Sequence, residues 1–186
     1  MTTHTLISGG TIIDGNGGAP FAGDLLVSGE RIVAVGAEAA AQSRHLDGVD
    51  RVDASGRCVM PGLIDAHCHI SFDEPASNDE LFFHRSRPAL AAIIAGVNAS
   101  KVLRAGVTSI FDADSIHELG PDLRDAINAG VIEGPRMTTG GYALLTSVGG
   151  TAGRLIPEEG VIGYGKVVRT HDEIVIEVRR QIKMGV

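Results

Sequence analysis

The sequence predicts an α/β fold: a small all-β unit over residues 1–60, then the first three βα units of an incomplete (β/α)8 TIM barrel over residues 61–186. Three observations lead there. Short apolar runs separated by glycine turns give way, at Pro61-Gly62, to strands alternating with longer amphipathic stretches. Repeated βα units with short links build a parallel sheet, because right-handed crossovers lay each helix back on its face. The strand that opens the second region is polar on one face only, towards its C-terminal end, where a barrel keeps its reactive groups.

The β unit is justified turn by turn. Thr5-Leu6-Ile7 and Thr11-Ile12-Ile13 flank Gly9-Gly10, and Asp14-Gly15-Asn16-Gly17-Gly18 is a turn cluster. Asp24 to Val27 and Arg31 to Val35 flank Ser28-Gly29-Glu30, a tight hairpin signal. Arg51-Val52-Asp53, Ser55-Gly56-Arg57 and Cys58-Val59-Met60 repeat the strand–turn–strand pattern.

Beyond Pro61 the first strand is Leu63–Ile70. A helix is expected over Ser86–Ala105, with Leu90, Ile93, Ile94 and Val97 on its buried face and Gly106 as its stop. Strand Val107–Asp112 follows, then a helix near Pro121–Ala129, with Leu119, Leu123 and Ile127 four apart and Gly130 as its stop. Arg136–Thr139 reads as a third strand. A long glycine-rich loop, Gly140 to Gly165, contains Tyr142 and Arg154 and is a candidate substrate-covering segment. The last helix begins at Thr170, where Thr-His-Asp-Glu forms a capping box between Thr170 and Glu173. Ile174, Val178 and Ile182 are its expected buried stripe, and Gly185 ends it.

This element order fits a barrel or an open doubly wound sheet. The alternation along Leu63–Ile70 favours the barrel. Leu63, Asp65, His67 and His69 share one face, and Ile64, Ala66, Cys68 and Ile70 share the other. A sheet buried on both faces would not tolerate three ionisable groups on one of them. A barrel runs to about 250 residues, so roughly 200 or more are expected beyond Val186, starting with a fourth strand.

Composition narrows the partners. The net charge is −7, and the basic residues form no stripe, which argues against nucleic acid and anionic membranes. The longest apolar stretch, Ala89 to Val97, is far short of the roughly 20 residues of a membrane span. The two cysteines, Cys58 and Cys68, suit a reducing cytoplasm better than a disulfide framework.

His67 and His69 are the candidate metal ligands, since side chains two apart on a strand project to one face. Asp65 is expected one layer deeper on that face, hydrogen bonding behind them. Cys68 points the other way, as a small core residue. Asp112 and Asp114 follow the second strand, where such residues more often cap the next helix or face water than line a pocket. His84, His117 and His171 read as surface or cap residues. A zinc-type catalytic site needs three protein ligands and an open position, so residues 1–186 alone should bind metal weakly and turn over nothing. The catalytic residues are unknown and expected beyond Val186.

The run Pro61-Gly62-Leu63-Ile64-Asp65-Ala66-His67-Cys68-His69 resembles the first-strand signature of the amidohydrolase superfamily. The Gly-Gly-Thr-Ile-Ile-Asp opening and the Gly-Glu-Arg-Ile-Val-Ala-Val-Gly hairpin are similar to that family's N-terminal β-sandwich segment. Gly106-Val107-Thr108-Ser109 and Gly134-Pro135-Arg136 resemble its second and third barrel strands, in the branch of Xaa-Pro dipeptidases, imidazolonepropionase-like enzymes and ochratoxin-type amidohydrolases. The resemblance implies a divalent metal, zinc above all, as one or two ions, with His67 and His69 on the more buried one. It further implies a carboxylated lysine on strand four, histidines on strands five and six, and an aspartate on strand eight. None of these maps onto this sequence, and Lys183, in the last helix, is not assigned. Gly149-Gly150-Thr151 stands where relatives carry Gly-Gly-His, so that histidine's role does not carry over.

The implied activity is hydrolysis of an amide or related C–N bond of a small peptide-like substrate by metal-activated water. An ochratoxin-type amide is a narrower version. A single-metal deaminase and a non-catalytic barrel scaffold are the alternatives. The implied partner is a small-molecule amide, and a homo-oligomer is expected on general grounds.

Overall fold

The structure, a computed structural model, describes residues 3–74, 76, 77, 80, 87–146 and 165–186. The chain divides into two compact units, Met1–Pro61 and Gly62–Val186.

In the first unit β1 (His4–Ile12) is the central strand. It pairs antiparallel with β2 (Phe21–Ser28), which also carries β3 (Arg31–Val35). On its other edge β1 pairs in parallel with β4 (Val49–Asp53) and, further along, with β5 (Cys58–Val59). Leu6 and Leu26 are direct cross-strand partners, 2% and 0% exposed, and anchor a small core with Ala34 and Ala39. The register of β1 shifts between Ile7 and Gly10. Gly9 adopts a φ of 75° there, and its N–H donates to Asp24 at 2.9 Å. The all-β expectation fails at α1 (Ala37–Ser43), which packs on β2 and β3. Its sequence, Ala-Glu-Ala-Ala-Ala-Gln-Ser, lacks an aliphatic stripe, but alanine is the strongest helix former and the helix buries only Ala39 and Ser43.

The second unit is built on a parallel sheet of order β6-β7-β8: β6 (Leu63–Cys68), β7 (Val107–Asp112) and β8 (Arg136–Thr139). Helix α2 (Pro88–Arg104) links β6 to β7, and α3 (Leu119–Asn128), preceded by a 3-10 turn at Ile116–Glu118, links β7 to β8. Adjacent parallel strands joined through helices are what the βα repeat predicts. The core gathers Ile70, Ala91, Ala95, Ile110, Ile116, Leu119, Leu123 and Met137.

Several faces differ from the expected ones. On α2 the buried residues are Ala91, Ala95, Asn98 and Ala99, while Ile93 and Val97 are 66% and 53% exposed. The small side chains let the helix lie close to the sheet, and Asn98 must face inward to reach the Ile70 carbonyl. Ile64, expected against a helix, is 73% exposed, because β6 is an edge strand and α2 packs over β7. β6 also ends at Cys68, before Ile70.

The stretch read as a loop contains β9 (Ala143–Leu145), and β10 (Gly165–Val167), which begins at its last residue, pairs with β9 in parallel. Residues 147–164, Arg154 and Gly149-Gly150-Thr151 among them, lie outside the described residues, as does His84. The last helix, α4 (His171–Met184), has the expected capping box: Thr170 Oγ1 accepts the Glu173 N–H at 3.3 Å, and Glu173 accepts the Thr170 N–H at 3.2 Å. Its buried face is not the apolar stripe. Ile174, Val178 and Ile182 are exposed, and Glu177 and Gln181 are buried. The Gln181 amide accepts the Tyr142 N–H at 3.0 Å and donates to the Tyr142 carbonyl at 2.9 Å, which turns that polar side of the helix inward.

Candidate functional site

The C-terminal ends of β6 and β7 are tied together by polar groups. The Cys68 carbonyl accepts the Ala113 N–H at 2.9 Å. The Ile70 N–H donates to Asp112 Oδ1 at 3.0 Å, and the Ile70 carbonyl accepts from Asn98 Nδ2 at 3.0 Å. Ser71 Oγ accepts the Ile116 N–H at 2.9 Å. The backbone on both sides of His69 is therefore pinned by β7 and α2. This is why the chain leaves the ladder at Cys68: Asp112 takes the amide that a continuing strand would offer to its neighbour.

Asp112 is fully buried. Its second oxygen receives the Thr139 hydroxyl at 3.5 Å, and Thr139 Oγ1 in turn accepts the Gly141 N–H at 3.0 Å. Burial pushes the Asp112 carboxyl up to about 7, with Asp114 adding to the rise and the Ile70 N–H opposing it. Asp112 thus neither caps a helix nor faces water, against the sequence expectation. Burial likewise pushes the Cys68 thiol up to about 12, and Cys68 packs against the core as expected.

His67 is exposed, and its ring lies edge-on to that of His69, with centroids 5.2 Å apart and planes at 82°. The His69 ring stacks on Phe72 at 4.9 Å and 5°. Its Nδ1 meets Asp114 Oδ1, and neither buried atom has another hydrogen-bond partner. Asp114, like Asp112, is therefore not a solvent-facing or capping residue. Asp65 departs from its expected place: it is exposed, and its Oδ1 accepts the backbone N–H of His67 at 3.1 Å rather than touching an imidazole. His117 is half-buried with a left-handed φ of 56°, and its Nε2 has no partner. His171 is the exposed first residue of α4.

A hollow of about 330 Å³ opens beside His69 and is lined also by Cys68, Asp73, Asn98 and Lys101. The larger one, about 750 Å³, lies away from the histidines, between α2 and α3. Tyr142 borders a third, of about 280 Å³, with Ala113, Val178 and Gln181.

The donor set fits part of a metal site. Two imidazoles converge at a strand end, one of them backed by a carboxylate, but among the described residues no group of three His, Cys, Asp or Glu is placed to hold an ion. The roles of Asp112 and Asn98 had a faint signal in the sequence. Asn98 stands on the Ala91-Ala95 side of the helix directly after its apolar stretch Ala89–Val97, and Asp112 ends an apolar strand.

Comparison with known proteins places this geometry in context. The model of the amidohydrolase family matches residues 58–186. Ochratoxinase of Aspergillus niger is 30% identical over 97% of this chain and 40% of its own length. Its crystal structure superposes with a TM-score of 0.78 at 27% identity, covering 100% of this chain and 45% of that one. A prolidase crystallised with N-methylphosphonate-L-proline gives a TM-score of 0.76 at 26% identity, over 99% of this chain and 45% of that one. N-acyl-D-aspartate deacylase of Alcaligenes xylosoxydans xylosoxydans is 48% identical over 64 residues, 34% of this chain and 12% of the enzyme. The chain spans two-fifths or less of the length of these curated relatives.

Proposed function

The chain belongs to the amidohydrolase family, and from that premise we propose that it is the N-terminal part of a metal-dependent hydrolase cleaving an amide or related C–N bond of a small peptide-like substrate. The observation that carries the reading is the paired imidazoles of His67 and His69 at the end of a parallel strand, the second backed by Asp114. The same reading takes β6 to β8 and their helices as the opening units of a (β/α)8 barrel, and the first unit's sheet as part of a β-sandwich. The sequential parallel order supports the first assignment.

His67 and His69 would hold a divalent ion, with zinc the choice that suits imidazole ligands, as one of one or two ions. Such an ion, when bound, polarises a carbonyl and lowers the pKa of water. The chain's own residues prepare that site. Asp112 and Asn98 hold the backbone around His69, Phe72 fixes the plane of its ring, and Asp65 holds the backbone amide of His67. Tyr142 and Arg154 belong to the segment proposed to meet substrate, and further ligands and the proton-transferring carboxylate come from outside this chain. The acidic charge and the absence, among the described residues, of a helix long and apolar enough to cross a membrane support a small-molecule partner. Free Cys58 and Cys68 support a cytoplasmic setting, and a homo-oligomer completes the proposal.

The test is metal content and turnover of the purified full-length protein on a panel of dipeptides and N-acyl amino acids, beside H67A and H69A. Bound metal and amide hydrolysis that both variants lose are expected. Ammonia release from aminopurines without amide cleavage would turn the reading to a deaminase. Metal retained in full by both variants would overturn it.

A further inference from the structure

We propose that Asp114 is a positioning residue that fixes the tautomer of His69, placing the proton on Nδ1 and the lone pair on Nε2; this rests on the reading of His69 as a metal ligand. A neutral imidazole has one N–H donor and one acceptor nitrogen, and an ionised carboxylate only accepts. The nitrogen that meets Asp114 Oδ1 is Nδ1, so the proton belongs there. Nε2 is left as the nitrogen able to donate its pair to an ion, the arrangement by which a carboxylate behind a histidine also raises its basicity.

Three further observations make the contact a built one. Both atoms are buried and have no other hydrogen-bond partner, so each depends on the other. The ring is kept from turning by its stack on Phe72, at 5° between planes. The backbone of Asp114 is held on both sides, with the Ala113 N–H on the Cys68 carbonyl at 2.9 Å and the Ser115 N–H on the Gly141 carbonyl at 2.8 Å. Asp112 serves a different contact, its oxygens accepting the Ile70 N–H and the Thr139 hydroxyl, while Nδ1 of His69 meets Asp114.

The experiment is two-bond 1H–15N correlation spectroscopy on the full protein labelled at histidine, chelator-treated and held at a pH where imidazole is neutral. The His69 signals are assigned by their loss in H69Q. The wild type should show His69 as the Nδ1–H tautomer, against the Nε2–H form that free histidine favours. D114A should return it to the Nε2–H form, and D114N, which keeps an acceptor oxygen, should restore Nδ1–H. Zinc competition with a chromophoric chelator should show weakening by about 10- to 100-fold in D114A and by less in D114N. A wild-type Nε2–H tautomer, or one unchanged in D114A, overturns the proposal, and the wild-type spectrum alone decides if D114A does not fold. If the tautomer behaves as expected but H69Q binds zinc like the wild type, the metal reading falls and the orienting role of Asp114 stands.

Discussion

Replacing Asp112 with Asn should stabilise the chelator-treated protein at alkaline pH and leave it nearly unchanged in acid. Asp112 is fully buried, and its carboxyl is raised from 3.8 to about 7, chiefly by burial. The sign follows from which state holds the proton more tightly. The folded protein keeps Asp112 protonated over a range in which the unfolded chain has already released it. The contribution of Asp112 is therefore most favourable below about 4, declines as pH rises towards 7, and is level above. The span from 3.8 to about 7 is about 3 units. At about 1.4 kcal/mol per unit, the wild type gives up roughly 4 kcal/mol across it. Asn carries no charge and retains Oδ1 for the Ile70 N–H. Its Nδ2 would face Thr139 Oγ1, which has a second lone pair beside the one used by the Gly141 N–H. D112N should therefore gain up to roughly 4 kcal/mol on the wild type above neutral pH, and the two should converge near pH 4. Urea unfolding across that range, with hydrogen exchange at the Ile70 amide as the local report, measures the difference. Parallel curves, or a D112N variant weaker at every pH, would refute the argument.

Three other substitutions or modifications probe different parts of the fold. Gln181→Ala removes both hydrogen bonds to the Tyr142 backbone, which should cost roughly 1–3 kcal/mol in denaturant unfolding. Gly140→Ala would put a methyl 2.1 Å from the Ala113 carbonyl oxygen, a backbone atom that cannot turn aside. A loss of about 1–3 kcal/mol is expected, and a melting temperature equal to the wild type would contradict it. Among the cysteines of this chain, exposed Cys58 should take up iodoacetamide in the native state while Cys68, its thiol pushed up to about 12, should not. Peptide mapping after brief labelling at neutral pH reads both sites, and equal modification would show that the Cys68 environment is misjudged.

The strand and helix order of the second unit was legible because its periods are strong. Alternation along Leu63–Cys68, the helical stripe from Leu119 to Ile127 and the Thr170–Glu173 box each lie within a few residues of sequence. Several misreadings share one cause, a partner far away along the chain. Ile174, Val178 and Ile182 form a clean apolar stripe, yet α4 turns Gln181 inward to a backbone 39 residues earlier. On α2 the aliphatic residues outweigh the alanines in any hydropathy pattern, but Asn98 reaches a carbonyl 28 residues away and sets the rotation. Asp112 looked like a capping residue because its partner, the Ile70 amide, is 42 positions distant. Helix α1 was missed for the opposite reason, since a run of alanines carries propensity without periodicity. At the site, the histidine pair was visible, whereas the left-handed turn at His117 and Glu118 left no residue-type signal, neither being glycine.

The double hold on Ile70 changes how mutational data on this protein should be interpreted. Its amide is fixed from β7 and its carbonyl from α2, so the segment bearing His69 inherits its coordinates from two elements other than its own strand. A random screen for inactive variants should recover lesions at Asn98 and Asp112 as readily as at the histidines. A map drawn from such a screen would enlarge the candidate site by residues that act through the backbone around His69.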